Sequence, residues 1–246
     1  MSSMRVTFPR APIAVALDAP SLADLRTWAE ETAPFVSCLK VGLEVFYRDG
    51  REAVVAAREG ALSAGVTDSM LFLDVKLHDI PATVRGAADA LRDIAPDFLT
   101  VHASGGPDMI AAACAVLPNT RITAVTVLTS LGPRDLASLG LDGAPEEIVV
   151  RWAAMAVDAG ARAIVCSPLE VAAVRAAVPD DVVLITPGVR PAGVGTDDQK
   201  RVTTPEDAIR MGADLLVIGR PITGAAKMAD AARSIGLSLT EVGGTS

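Results

Sequence analysis

"LFLDVKLHDIPATVRGAADALRDIAPDFLTVHASGG" (residues 71–106) holds two short apolar runs, each ending in polar residues, with a longer Ala-rich amphipathic stretch between them. Such a unit reads as strand, helix, strand. It recurs along the whole chain. Further runs are "IAVALDAP" (13–20), "CLKVG" (38–42), "ITAVTVLTS" (122–130), "AIVCSP" (163–168), "VLITPGVRP" (183–191) and "LLVIGRP" (215–221), which with 71–79 and 98–106 make eight. Intervening stretches such as "SLADLRTWAEETAP" and "TPEDAIRMGA" open on Ser or Thr followed by acidic residues, as capped helices do. Strict alternation implies parallel strands with right-handed crossovers, and eight strands close a ring. The expected class is α/β, a (β/α)8 TIM barrel. An open doubly wound sheet is the alternative, but no GxGxxG turn follows the first run and no P-loop sequence occurs.

The 246 residues fit one such barrel, and no Pro-, Gly- or Ser-rich linker divides them. We therefore expect a single domain over 1–246, with 1–11 and 240–246 as terminal extensions. Half the residues are apolar and only 3% aromatic, so Ala, Val, Leu and Ile fill the core. A net charge of −8 argues against a nucleic-acid surface. No segment approaches about 18 uncharged apolar residues, and the opening residues lack a secretory pattern, so neither membrane nor export is expected. Cys38, Cys114 and Cys166 are widely spaced and odd in number, which suits a reducing cytoplasm better than disulfides or zinc.

The polar residues lie at the ends of the runs: Asp18, Lys40, Asp74 with Lys76, His102, Thr129, Arg190 and Arg220. In a parallel barrel those ends share the face that carries active sites. In a regular strand Asp74 and Lys76 point the same way, and Val75 and Leu77 the other. A structural ion pair would explain Asp-x-Lys alone. Lys40, and Asp79 just after the strand, favour a net-neutral network of two Lys and two Asp in a partly dry mouth. His78 could be a general acid or bond to neighbouring backbone, and the structural role is favoured for it and for His102. Adjacent lysines compete with Mg2+ for the carboxylates, so no metal site is expected. Runs seven and eight end in "TPGVRP" and "IGRPIT", where barrels often bind phosphate. Arg190 and Arg220 would supply bidentate donors there, although either alone could face solvent. Gly219 would admit the backbone, and Gln199 in the polar stretch 191–206 could fold over the anion.

The motifs "LDxKxHDIPxTV" (73–84), "VHASGG", "VTVLTS", "TPGVRP", "DQKR" (198–201) and "VIGRPIT", in this order, resemble the orotidine 5'-phosphate decarboxylase family over nearly the whole chain after about residue 12. The resemblance implies a carboxy-lyase that converts orotidine 5'-monophosphate to uridine 5'-monophosphate and CO2, the last step of de novo pyrimidine biosynthesis, without metal or organic cofactor. It implies Lys76 as proton donor to C6, Asp74 beside the leaving carboxylate and Lys40 near the ribose. Asp18 would bind ribose hydroxyls, and Thr129 with Ser130 the pyrimidine. Arg190, Gln199, Gly219 and Arg220 would grip the phosphate. Asp79 and Thr83 would reach into the partner's site in an obligate homodimer, and Ile80 between them belongs to the substrate-binding set. Ala82 departs from the pattern, where Asn is expected in many bacterial relatives. Two alternatives remain: a Mg2+-dependent sugar-phosphate decarboxylase or aldolase with a similar Asp-x-Lys-x-x-Asp strand, and a catalytically dead barrel that only binds nucleotide.

Overall fold

The computed structural model describes residues 6–190 and 203–243. Eight parallel strands close into a barrel in sequence order: β1 (Ala11–Ala16), β2 (Val36–Gly42), β3 (Met70–Leu77), β4 (Phe98–His102), β5 (Arg121–Val125), β6 (Ala163–Val165), β7 (Val183–Pro187) and β8 (Leu215–Ile218). The expected TIM barrel is thus the fold. Helices follow the strands on the outside, and their starts follow the caps in the sequence. The Ser21 hydroxyl accepts from the Asp24 amide ahead of the helix Leu22–Thr32, and Thr204 accepts from Asp207 ahead of Pro205–Arg210. Proline occupies the first turn of Pro81–Ala90, Pro107–Val116 and Pro145–Asp158, where its missing N–H costs nothing. The final helix, Met228–Gly243, carries a regular backbone through residue 240, where the sequence suggests an extension.

Strand alternation sorts the core into two shells. Ile13, Leu39, Leu73, Leu99, Ile122, Ile164, Leu184 and Leu216 pack outward under the helices, while Ala14, Cys38, Phe72, Phe98, Ala163, Val183, Ile185 and Leu215 form a second cluster that fills the barrel. The interior alternates small and large: Ala14 and Ala163 leave room for Phe72 and Phe98, whose rings meet at 5.7 Å and 57°. Fully burying each ring contributes roughly 1.5–3 kcal/mol. Arg121 lays its guanidinium 5.6 Å from the Phe98 ring centroid at the lower end.

Two aspartates fix strand register at that end in the same way. Asp97, just before β4, bonds Leu71 of β3 through its amide and carboxylate (2.9 and 2.7 Å). Asp214, just before β8, does so with Leu184 of β7 (2.9 and 2.8 Å) and also pairs with Arg175. With register set from below, the same parity carries upward. It turns Ala16, Lys40, Asp74, Val125, Val165, Pro187 and Val217 into the mouth at the strands' C-terminal ends and leaves Thr100 buried.

Candidate active site

The centre of the mouth is Asp74. Its Oδ1 accepts from Lys76 Nζ at 2.8 Å and its Oδ2 from Lys40 Nζ at 3.2 Å. All three side chains are largely withdrawn from water, with 13% of Asp74, 8% of Lys40 and 26% of Lys76 exposed. Burial alone pushes the Asp74 carboxyl up, but the two ammonium groups outweigh it and hold it below its ordinary value. Removing Asp74 would strand two cations in a partly dry site, a change that typically costs about 3–5 kcal/mol.

The strand carrying this pair is not regular. Lys76 has φ +49°, in the left-handed region that non-glycine residues avoid. The β3–β4 register runs Phe72 with Phe98 and Leu73 with Leu99, then shifts to Leu77 with Val101. Asp74, Val75 and Lys76 thus face the single residue Thr100, so β3 bulges where its charges lie. Asp74 and Lys76 do meet, as the period-two reading expected, but through this bulge.

Two cavities adjoin at Asp74, Pro187 and Val217. One, of about 190 Å³, is mainly apolar: Phe72, Val125, Val127, Leu128, Val165 and Cys166 line it together with Asp74, Lys76 and Thr129. Burial pushes the Cys166 thiol up to about 12, so it is a neutral wall and not a nucleophile. The other, of about 260 Å³, is polar, lined by Asp18, Lys40, Asp74, Arg190, Gly219 and Arg220. Arg190 is 7% exposed and its amide donates to the Thr203 carbonyl at 3.1 Å. Gly219 precedes the short helical turn Arg220–Thr223. The pair places an apolar slot beside a bowl lined by three cations and two carboxylates, with the Lys-Asp-Lys cluster at their junction.

Most of the residues singled out in the sequence thus converge. Lys40, Asp74, Lys76, Asp18, Thr129, Arg190, Gly219 and Arg220 all line one cavity or both. Asp79, Ile80, Thr83 and Ser130 are exposed and line neither. The Asp79 carboxylate accepts from the Ile80 amide at 2.7 Å, outside the Lys40–Asp74–Lys76 cluster. Within one chain the cluster is therefore two cations and one anion. Gln199 lies outside the described residues.

Sequence reasoning passed over Gly42 and Thr100. A Cβ at Gly42 would lie 2.7 Å from Asp18 Oδ1 and 3.0 Å from Lys40 Nζ, so a larger residue there would make the ends of these two side chains shift. Its place at the end of "LKVG" was the available signal. The strand of "ITAVTVLTS" also ends sooner than its run, at Val125, and the Thr126 amide and hydroxyl both bond the Val165 carbonyl (3.1 and 2.7 Å). Leu128–Ser130 lie beyond it on the rim.

The two histidine rings meet at a 43° tilt at the mouth's edge, with centroids 5.2 Å apart and His78 Nε2 3.5 Å from Ser104 Oγ. Burial lowers the His102 pKa below its ordinary 6.5, reinforced by His78 and Lys76 and opposed by Asp74. The unfolded chain therefore binds a proton first as pH falls, and stability is lost from about 6.5 downward until the folded-state pKa is passed. A melting series from about pH 8 to about pH 5 should show falling Tm, and His102→Asn should flatten that limb. An unchanged slope in the variant would refute the assignment.

Among the described residues, no group of three or more His, Cys, Asp or Glu side chains is arranged to hold a metal ion, and no helix is long and apolar enough to cross a membrane. Comparison with known proteins agrees with the geometry. The chain is 56% identical over 233 residues to the orotidine 5'-phosphate decarboxylase of Thermobifida fusca (strain YX), covering 95% of this chain and 97% of that one. It is 51% identical over 245 residues to the enzyme of that name from Frankia casuarinae, covering 95% and 89%. The crystal structure of orotidine 5'-phosphate decarboxylase from Lactobacillus acidophilus superposes with a TM-score of 0.77 at 33% identity, covering 93% of this chain and 99% of that one. Residues 11–235 match the family model, and the chain belongs to the orotidine 5'-phosphate decarboxylase / HUMPS family.

Proposed function

We propose that this protein decarboxylates orotidine 5'-monophosphate to uridine 5'-monophosphate in pyrimidine biosynthesis, with Lys76 delivering the proton. The observation that carries the reading is the Lys40–Asp74–Lys76 cluster at the junction of an apolar slot and an arginine-lined bowl. The pyrimidine fits the slot, between its apolar walls and Thr129, with Ser130 near the rim. The phosphate fits the bowl with Arg190, Arg220 and Gly219, while Asp18 and Lys40 face the ribose between. Gln199 is assigned to the phosphate by resemblance alone.

The C6–carboxylate bond breaks, CO2 leaves, and the electron pair stays on C6, in the ring plane, where the π system cannot delocalise it. Its stabilisation must therefore be electrostatic. The Lys76 ammonium, steered by Asp74, faces the developing carbanion and then transfers its proton there. Asp74 lies beside the leaving carboxylate. With Asp74 already engaged by two ammonium groups, the chemistry described needs neither metal nor organic cofactor.

The protein is further read as a homodimer in which Asp79 and Thr83 reach into the partner's site. The second carboxylate absent from each chain's own cluster supports this. So do Ile80, Leu128 and Leu139, large apolar side chains 66%, 40% and 63% exposed near the mouth. Three free cysteines are in keeping with a cytoplasmic enzyme of one barrel domain.

Addition of orotidine 5'-monophosphate should produce a loss of near-ultraviolet absorbance at the same rate with and without EDTA. Turnover abolished by chelator would favour the Mg2+-dependent sugar-phosphate chemistry. No turnover by a folded, nucleotide-binding dimer would refute the reaction.

A further inference from the structure

We propose that Thr100 is a positioning residue for this reaction, its hydroxyl holding the Lys76 backbone in the left-handed turn and fixing the Asp74 oxygen that steers the Lys76 ammonium. The inference rests on the reaction assigned above. Thr100 is wholly buried on β4, opposite the three bulged residues of β3. Its Oγ1 accepts from the Lys76 amide at 2.8 Å and donates to Asp74 Oδ1 at 3.1 Å. The one hydroxyl proton and one lone pair are thereby used, and both serve the site.

The geometry explains why a hydroxyl stands there. A register shift of this kind breaks the backbone ladder, leaving the Lys76 amide without its usual β4 carbonyl. Thr100 replaces that acceptor and so ties down a conformation that lysine does not favour. Asp74 Oδ1 receives both the Thr100 hydroxyl and the Lys76 ammonium, while Oδ2 receives Lys40. The hydroxyl thus sets the plane of the carboxylate, and the carboxylate sets where the ammonium stands. Thr100 itself is absent from the linings of both cavities, so it acts through Asp74 and Lys76 and not on substrate.

The test compares the unaltered chain with Thr100→Val, which keeps the shape and loses the hydroxyl, and Thr100→Ser, which keeps the hydroxyl. A misplacement of the acid by around an ångström lowers turnover about 100-fold, so Thr100→Val should lose about that factor in kcat with KM within about threefold. Thr100→Ser should restore most of kcat. A merely structural role would not divide kcat from KM in this way, nor respond to the hydroxyl alone. Equal kcat in the Val variant and the unaltered chain, or equal losses in the Val and Ser variants, would overturn the proposal. If Thr100→Val does not fold, Thr100→Ala against Thr100→Ser reads the same contrast, and equal rates overturn it. Failure of the unaltered chain to turn over orotidine 5'-monophosphate would instead overturn the reaction on which the proposal rests.

Discussion

Lys76→Ala should lower kcat by about 10⁴-fold or more, since it removes both the proton donor and the cation that faces the carbanion. The fold should survive the change. Asp74 keeps Lys40 as its partner at 3.2 Å, so no carboxylate is left buried without a cation. Alanine also meets the same left-handed strain as lysine, so the backbone term nearly cancels. Binding of uridine 5'-monophosphate, measured by calorimetry, should stay within about tenfold, because the arginine-lined bowl is untouched. Near-normal turnover in a variant that melts like the unaltered chain would remove Lys76 from the reaction.

Arg220→Ala should act on the other end of the substrate. Loss of a charge-assisted bidentate contact to phosphate should lower kcat/KM by about 10³-fold, expressed mainly as a raised KM. Arg220 is exposed at the rim, where a contact contributes little, so its loss should change Tm only slightly. Arg190, at 7% exposure, would confound binding with stability and is the poorer probe. Uridine, which has no phosphate, should bind the variant and the unaltered chain alike. A variant with unaltered KM for orotidine 5'-monophosphate would contradict the phosphate assignment.

The barrel was legible because a buried parallel strand writes itself as a short apolar run, and β2 is buried at all seven positions, Lys40 included. A charge inside such a run cannot be explained by solvent, which is why Lys40, Asp74 and Lys76 stood out. The rule that active sites gather at strand C-termini then brought in Asp18, Arg190 and Arg220. Backbone irregularity was not legible. The bulge at Asp74–Lys76 depends on how β3 pairs with β4, a relation between segments that strand periodicity does not encode. Thr100 escaped notice for the same reason: within "FLTVHASGG" it reads as an ordinary β-former, and its role exists only opposite the bulge. Asp79 follows β3 closely in sequence, yet the turn before Pro81 carries it outward, so a single chain does not bring it to Lys40 and Lys76. Gly42 shows a subtler loss, since a glycine ending a strand signals a turn as readily as room for Asp18 and Lys40.

The left-handed backbone at Lys76 also bears on redesign of this protein. A Cβ-bearing residue in that region costs about 1–2 kcal/mol, and glycine would relieve it. A procedure that optimises folding free energy alone will therefore write glycine at 76 and report an improvement. On the role proposed for Lys76, the improved sequence would fold as a barrel and lose its turnover. Any stabilised version of the protein must then hold residue 76 fixed.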